Sequence, residues 1–190
     1  MLPLEGFKEA QEKGILINSN GALNLKEVPK SLVIIGGGGI GVEIATLYNI
    51  FGSKVTIIEG GSSIIAPMDK DIRKFATEKL LSNGVEILTN AKVLSMDGNK
   101  VNYEINGEVK SVEGEKVLLS VGRRPNNLNL DKTLGMEVDK RGAVVVNENF
   151  QTSIPNIFAQ GDVNGLAMVA HASYKHADII TEFFKGNKMV

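Results

Sequence analysis

The sequence has no cysteine, only two histidines, and a net charge of −1 over 190 residues. Without cysteine, the chain itself carries no disulfide, no thiolate metal site and no thiol chemistry. The near-neutral charge gives no reason to expect nucleic acid or an acidic membrane as a partner. No apolar run reaches the roughly 18 residues of a membrane-spanning helix, and the N terminus does not resemble a secretory signal. We therefore expect a cytoplasmic protein.

Glycine, by contrast, is abundant, and many of its 21 copies gather in turns. The richest turn, residues 36–41, follows the apolar run Leu32–Ile35, which is typical of a strand buried on both faces of a parallel sheet. An amphipathic helix comes next, and Val55–Glu59 is a second strand. This order of strand, glycine turn, helix and strand predicts a dinucleotide-binding βαβ unit.

Three glycines of the turn form the pattern Gly-x-Gly-x-x-Gly. Gly36 permits the tight turn from strand to helix, Gly38 leaves space for a pyrophosphate beside the backbone, and Gly41 lets the helix pack closely on the strand. The N terminus of the helix then offers free N–H groups to the phosphates. The alternative is a flexible glycine loop, and the flanking strand and helix argue against it.

Two carboxylates follow the turn. Glu59 ends the second strand, where it can accept hydrogen bonds from both ribose hydroxyls of adenosine and would repel a 2′-phosphate. No arginine occurs in residues 60–63, so we expect NAD(H) rather than NADP(H); the alternative is a solvated surface glutamate. Glu43 is predicted in the first turn of the helix, where the helix dipole favours an acid. A contact to the nicotinamide end of NAD is an equal alternative for Glu43.

The sequence pattern beyond this unit completes a domain. A second amphipathic helix, which starts shortly after Asp69 and is closed by Asn83-Gly84, and a third strand at 85–88 continue the alternation. Short strands separated by Asp-Gly and Asn-Gly then predict an antiparallel meander over 91–112, and an apolar strand returns at 116–121. Residues 31–122 therefore predict an α/β domain, with a Rossmann-like parallel sheet and a β-meander crossover.

The two flanks are predicted to belong elsewhere. Residues 1–30 contain too few apolar residues to fold alone, so we interpret them as a lead-in segment from a neighbouring domain. Residues 123–190 predict strands at 143–146 and 156–159 and a closing helix at 168–184. These are pieces of a second α/β domain.

The second flank holds a further candidate site at Gly161-Asp162. A carboxylate at the end of a strand suits a sugar or ribityl hydroxyl, and the following helix start offers free N–H groups. The alternative is a plain strand–turn–helix with Asp162 as a cap. Neither His171 nor His176 has an acidic neighbour at ligand spacing. We assign no metal and expect both histidines to be structural or solvated.

In their order along the chain, these motifs resemble the flavin-dependent pyridine nucleotide–disulfide oxidoreductases. Within that family, the dihydrolipoamide dehydrogenases are the nearest members. The resemblance covers essentially the whole chain and rests on Val28–Leu32, Gly36–Glu43, Glu59, Val121–Asn126, Thr152–Asp162 and Met168–His171.

The resemblance implies two sets of cofactor contacts. The NAD contacts fall on Gly36, Gly37, Gly38, Gly39, Ile40, Gly41, Val42, Glu43, Glu59, Val93 and Gly122. The FAD contacts fall on Asp162, at the ribityl chain, and on Met168, Val169, Ala170 and His171, at the helix start that faces the flavin ring. Gly39 departs from the family, which usually carries a bulkier residue there and so fills the nicotinamide pocket further.

The family also has an N-terminal flavin-binding part with a redox-active cysteine pair. A C-terminal dimerisation domain supplies a catalytic His-Glu pair. We find none of these features in the sequence and therefore expect an internal fragment without catalytic residues, which binds NAD(H), does not retain FAD and is inactive alone.

The resemblance implies that the whole enzyme passes electrons from dihydrolipoyl thiols through a disulfide and FAD to NAD⁺. It would be a homodimer that serves the lipoyl domains of 2-oxo acid dehydrogenase or glycine cleavage complexes. An NADH oxidase, a coenzyme A-disulfide reductase, a mercuric reductase and a stand-alone NADH-binding or sensing module stay open as alternatives.

Overall fold

The structure, a computed structural model, describes residues 4–187 and divides after Gly122 into two compact units. The ends of the predicted flanks, residues 1–3 and 188–190, lie outside this range. The helices and strands in chain order are α1 (Phe7–Glu12), β1 (Leu16–Ile17), α2 (Ser19–Leu23), β2 (Ser31–Ile35), α3 (Gly39–Ile50), β3 (Lys54–Ile58), α4 (Lys70–Ser82), β4 (Glu86–Leu88), β5 (Lys92–Asp97), β6 (Lys100–Ile105), β7 (Glu108–Glu113), β8 (Lys116–Leu119), α5 (Leu130–Leu134), a 3₁₀ helix (Gly161–Asn164) and α6 (Ala170–Phe184).

The first unit is built on a parallel sheet of five strands in the order β1-β8-β2-β3-β4. The central strand β2 pairs with β3 on one side and with β8 on the other. Its residues Leu32–Ile35 are all buried, because the sheet is covered on both faces. The predicted parallel β-α-β core is confirmed.

The two faces of the sheet have different covers. Successive residues of β2 point to opposite faces, so Leu32 packs with Ile44 of α3 in one cluster. Val33 packs with Val101 of the meander in the other cluster. The meander itself is an antiparallel sheet of β5, β6 and β7, as predicted. The first unit is therefore a parallel sheet between a layer of helices and a layer of antiparallel strands.

Residues 4–30 contribute directly to this unit. β1 extends the parallel sheet beside β8, with Leu16 opposite Val117. Phe7 of α1 is 1% exposed and joins the cluster beneath the meander. A short strand at 15–17 is predictable from the sequence, but its pairing is not, because β1 has only two residues and its partner strand lies about a hundred residues further along the chain.

The second unit contains no regular strand among its described residues. The predicted strands at 143–146 and 156–159 are wrong as strands, because each forms one isolated antiparallel bridge. Left-handed backbone at Phe150 and Asn156 interrupts the extended chain that a longer ladder needs. The closing helix is confirmed as α6. Within residues 4–187, no helix has both the length and the apolarity needed to cross a bilayer.

Candidate functional site

The first unit has a cavity of about 740 Å³ at the carboxyl ends of β2, β3 and β8. Ligands of parallel α/β sheets bind in this position, just beyond the carboxyl ends of the strands. Of the predicted NAD contacts, the cavity brings together Gly36, Gly38, Gly39, Ile40, Glu59, Val93 and Gly122. Residues that the sequence analysis did not select also line it, among them Leu4, Ala91, Lys92 and Ser120.

The glycine loop leaves β2 through a close approach of two backbones. Gly36 has φ +101°, and a Cβ there would lie 2.6 Å from the carbonyl oxygen of Ser120. A Cβ at Gly41 would lie 2.1 Å from the carbonyl oxygen of Gly36. Real Cβ atoms do not approach backbone oxygens this closely, so both positions require glycine. The tight turn at Gly36 and the close packing at Gly41 are confirmed.

The other three glycines of the loop, Gly37, Gly38 and Gly39, differ in the space beside their Cα atoms. A Cβ at Gly37 would lie 2.6 Å from Cγ2 of Ile64, which is 1% exposed. The sequence around Gly37 does not indicate this packing role, because Ile64 reaches Gly37 from a loop after β3. At Gly38 and Gly39, a Cβ would meet no protein atom within 4 Å. These two positions therefore open onto free space.

α3 begins at Gly39, and its first amide groups lack partners. The N–H groups of Gly39 and Ile40 donate no hydrogen bond within residues 4–187. Unpaired donors at a helix N terminus carry partial positive charge and suit an anion. Ile40 lines the cavity beside them, so this end of the cavity has the donors that a phosphate needs.

The Glu59 carboxylate joins two loops at the rim of the cavity. Its Oε2 accepts a hydrogen bond of 2.7 Å from the N–H of Gly37, and its Oε1 accepts one of 2.7 Å from the N–H of Gly61. Each carboxylate oxygen has a second lone pair. Glu59 therefore holds the glycine loop in place and still has capacity for further donors.

Ser120 fixes the other side of the glycine loop. Its hydroxyl oxygen lies 2.9 Å from the carbonyl oxygen of Gly36 and 3.1 Å from that of Ile35. The hydroxyl proton can bond either carbonyl, so Ser120 ties the end of β8 to the end of β2. Only the parallel pairing of β2 with β8 brings these residues together, and no local motif around Ser120 signals it.

Val42 and Glu43 lie on α3 outside the cavity, and Glu43 is exposed. The prediction that Glu43 occupies the first helical turn is wrong. α3 begins at Gly39, two residues before the last glycine of the pattern, and its first turn contains no acid. The helix dipole therefore does not explain an acid at position 43, and Glu43 does not line the cavity either.

In the second unit, the Gly161-Asp162 turn is held against α6. The N–H of Gly161 donates a 3.1 Å hydrogen bond to Nδ1 of His176. His176 is buried and stacks on Phe150 at a centroid distance of 4.1 Å. The carboxylate of Asp162 is exposed and accepts no hydrogen bond from residues 4–187. His176 thus has the structural role that was expected, and it positions the turn that carries Asp162.

The remaining predicted contacts lie at the start of α6, which begins at Ala170. Met168 is half-buried, whereas Val169, Ala170 and His171 are exposed. The N–H groups of Ala170 and His171 have no partner within residues 4–187. This helix N terminus therefore presents free donors to its surroundings. Across residues 4–187, no group of three or more potential metal ligands occurs.

Comparison with known proteins places this geometry among related folds. Residues 1–177 match the family model described as pyridine nucleotide-disulphide oxidoreductase. A curated dihydrolipoyl dehydrogenase of Acholeplasma laidlawii is 49% identical over 171 residues, which is 90% of this chain and 50% of that protein. One from Mycoplasma pneumoniae is 41% identical over 189 residues, which is 100% of this chain and 41% of that protein.

Among solved structures, the HOCl-induced flavoprotein disulfide reductase RclA from Escherichia coli matches with a TM-score of 0.86 and 33% identity. The match covers 100% of this chain and 43% of that chain. The chain thus spans about half, or less, of the length of the proteins it matches.

Proposed function

The chain belongs to the pyridine nucleotide-disulphide oxidoreductases, and we propose that its first unit is the NAD(H)-binding part of a dihydrolipoamide dehydrogenase. The observation that carries the proposal is the cavity itself, with an open glycine position at Gly38 and the Glu59 carboxylate on its lining. We propose dihydrolipoyl groups as the substrate of the whole enzyme, because the two relatives of 41% and 49% identity are dihydrolipoyl dehydrogenases.

The residues of the cavity fit the parts of a dinucleotide. The free N–H groups of Gly39 and Ile40 would bind the pyrophosphate, which approaches the backbone where Gly38 has no side chain. The second lone pairs of Glu59 would accept hydrogen bonds from the adenosine ribose. Val93 would lie beside the adenine, and Gly122 would lie on the nicotinamide side. When bound, NAD⁺ supplies the acceptor for a hydride.

The second unit would supply one wall of a flavin site. The carboxylate of Asp162 is free to accept a hydrogen bond from a ribityl hydroxyl, and the free N–H groups of Ala170 and His171 would face the flavin ring. Both features are exposed, so this unit alone offers little enclosure. We propose that FAD belongs to the longer enzyme and does not stay bound to residues 1–190.

The further parts of the proposal concern that longer enzyme. It would oxidise dihydrolipoyl groups through a disulfide and FAD, act as a homodimer, and meet the lipoyl domains of 2-oxo acid dehydrogenase or glycine cleavage complexes in the cytoplasm. The purified chain should show no dihydrolipoamide oxidation and no flavin absorbance. Turnover or a yellow preparation would contradict this part of the proposal.

Calorimetric titration with NADH and NADPH tests the nucleotide assignment. We expect NADH to bind more tightly, because the Glu59 carboxylate repels a 2′-phosphate. In Glu59→Gln, an amide NH₂ replaces one acceptor oxygen, and we expect about a tenfold loss of NADH affinity. Glu104→Gln is the matched control, because it removes an exposed charge of β6 that lies outside the cavity and outside the predicted NAD contacts. Equal affinity for the two nucleotides, or an unchanged Glu59→Gln variant, would overturn the assignment.

A further inference from the structure

A second pocket of the first unit lies between the loop after Glu59 and one side of α4. It has a volume of about 450 Å³ and is lined by Ser62, Ser63, Lys70, Arg73, Lys74 and Glu78 among others. Three cations and one acid give this lining a net charge of about +2. The pocket shares no lining residue with the glycine-loop cavity, so the nucleotide proposal does not account for its charge.

Arg73 is the least satisfied group of this pocket. Its Nη1 donates a 3.0 Å hydrogen bond to Oγ of Ser63. Its Nε is buried and has no hydrogen-bond partner within residues 4–187. A buried donor without an acceptor is costly, and guanidinium groups preferentially pair with carboxylate or phosphate oxygens. Because the buried Nε is closed to solvent, the donors that Arg73 can offer to a ligand are those of its terminal amino groups, of which only Nη1 has a partner, at Ser63.

The other polar groups of the pocket are also mainly donors. The hydroxyls of Ser62 and Ser63 donate no hydrogen bond to another group within residues 4–187. Lys70 forms no ion pair within the same range. The only acid on the lining, Glu78, lies 3.9 Å from Lys74, and both side chains are largely exposed. Such a pair contributes little, so the cations and hydroxyls of this pocket keep donors available for a ligand.

We propose that this pocket binds a phosphate dianion or a phosphate monoester. Phosphate oxygens accept several hydrogen bonds at once, and arginine binds them in a bidentate manner. The hydroxyls of Ser62 and Ser63 supply donors without adding charge. The volume lies within the range of about 300–1,000 Å³ for small-molecule pockets, so the organic part of a monoester also has space.

The proposed source of the phosphate group is free phosphate or a phosphorylated metabolite, which binds independently of NADH. Ser62 and Ser63 follow Glu59 after two glycines, and Glu59 is the residue proposed to bind the adenosine ribose. The 2′-phosphate of NADP(H) is not the expected source, because the Glu59 carboxylate would repel it.

The test is a titration of the whole chain with sodium phosphate, followed by ¹H–¹⁵N NMR at constant ionic strength. We expect saturable shifts of the amides of Ser62 and Ser63 at millimolar phosphate. Arg73→Gln should weaken the affinity about tenfold. Lys70→Gln removes an exposed charge of the same pocket, leaves the packed interior unchanged, and should weaken the affinity severalfold.

Lys79→Gln is the control, because Lys79 is an exposed cation of α4 that does not line the pocket. Phosphate binding that persists in saturating NADH and is unaffected by NADPH supports the free-phosphate source. Competition by NADPH but not NADH, with a selective loss of NADPH affinity in Arg73→Gln, would place the 2′-phosphate of NADP(H) in the pocket and overturn the free-phosphate proposal. Absence of saturable shifts, or equal weakening by Lys79→Gln and Lys70→Gln, would overturn the proposal. Because the probe is phosphate itself, such a failure leaves the NADH assignment untouched.

Discussion

Two adjacent glycines of the loop, Gly37 and Gly38, are expected to give opposite results when each is replaced by alanine. A Cβ at Gly37 would lie 2.6 Å from Cγ2 of Ile64, whereas a Cβ at Gly38 would meet no protein atom within 4 Å. Gly37→Ala therefore disturbs the packing of the chain against itself. Gly38→Ala fills only the space that the proposed pyrophosphate would occupy.

The two substitutions also differ in their expected effect on the free energy of unfolding. Forcing an extra methyl group into a packed interior costs about 1–3 kcal/mol. Ile64 is 1% exposed and cannot move aside into solvent, so we expect Gly37→Ala to lower the free energy of unfolding by about 2–3 kcal/mol. Gly38 is the N-cap of α3 with φ −70°. Alanine is a poorer N-cap but loses less backbone entropy on folding, so we expect Gly38→Ala to change stability by less than about 1 kcal/mol.

Urea denaturation and calorimetric titration with NADH measure the two effects separately. Gly37→Ala should lower the urea midpoint, and Gly38→Ala should keep the midpoint while losing most of its NADH affinity. The pair controls for the chemistry of the substitution, since each variant adds one methyl group to neighbouring residues. If Gly38→Ala binds NADH normally, the phosphate does not lie at this backbone. If Gly37→Ala is as stable as the original chain, the packing argument is wrong.

Three further substitutions test single features of the two units. The Cβ of Gly39→Ala, at the start of α3, would meet no atom within 4 Å. Urea denaturation should therefore show a free energy of unfolding that is higher by about 0.5–1 kcal/mol, because alanine has the higher helix propensity. A lower free energy of unfolding would contradict the open geometry. His176→Ala removes the acceptor of a buried backbone N–H and should cost about 1–3 kcal/mol in the same assay, whereas the exposed His171→Ala should change little; equal effects would refute the positioning role. The hydrogen bond from the N–H of Ala143 holds the pKa of Asp139 below its ordinary value. Its stabilising contribution is therefore present above the unfolded-state pKa and is lost as the pH falls through the lowered pKa. Asp139→Asn should flatten that acid limb in a pH series of urea midpoints, and an unchanged limb would refute the assignment.

The parts of the fold that the sequence predicts are those with local causes. The apolar run Leu32–Ile35 indicates a strand buried on both faces, and the hairpin turns at Asp97-Gly98 and Asn106-Gly107 define the meander. The requirement for glycine at Gly36 and Gly41 follows from the turn that the strand must make. Each of these signals lies within a few residues of the structure it predicts.

The parts that the sequence does not predict depend on contacts between distant segments. β1 joins the sheet of the first unit only because β8 lies beside it, and Ser120 reaches the glycine loop only because β8 pairs with β2. In the second unit, the apolar run at 143–146 predicts a strand that does not form. Such a run forms a ladder only with a continuous partner, and the described neighbours supply one bridge.

Two physical reasons explain why residue 59 is a glutamate, and the sequence indicates only one of them. Charge repulsion of a 2′-phosphate explains why an acid would select NAD(H), and aspartate would meet that requirement equally well. The structure adds that both carboxylate oxygens accept backbone N–H groups, from Gly37 and from Gly61, at 2.7 Å each. Aspartate is one methylene shorter and cannot span the same two loops without moving one of them. Glu59→Asp should therefore keep the preference for NADH over NADPH while lowering the affinity for both, because the glycine loop loses its anchor. Retention of full NADH affinity in this variant would show that the two hydrogen bonds do not organise the loop for the nucleotide.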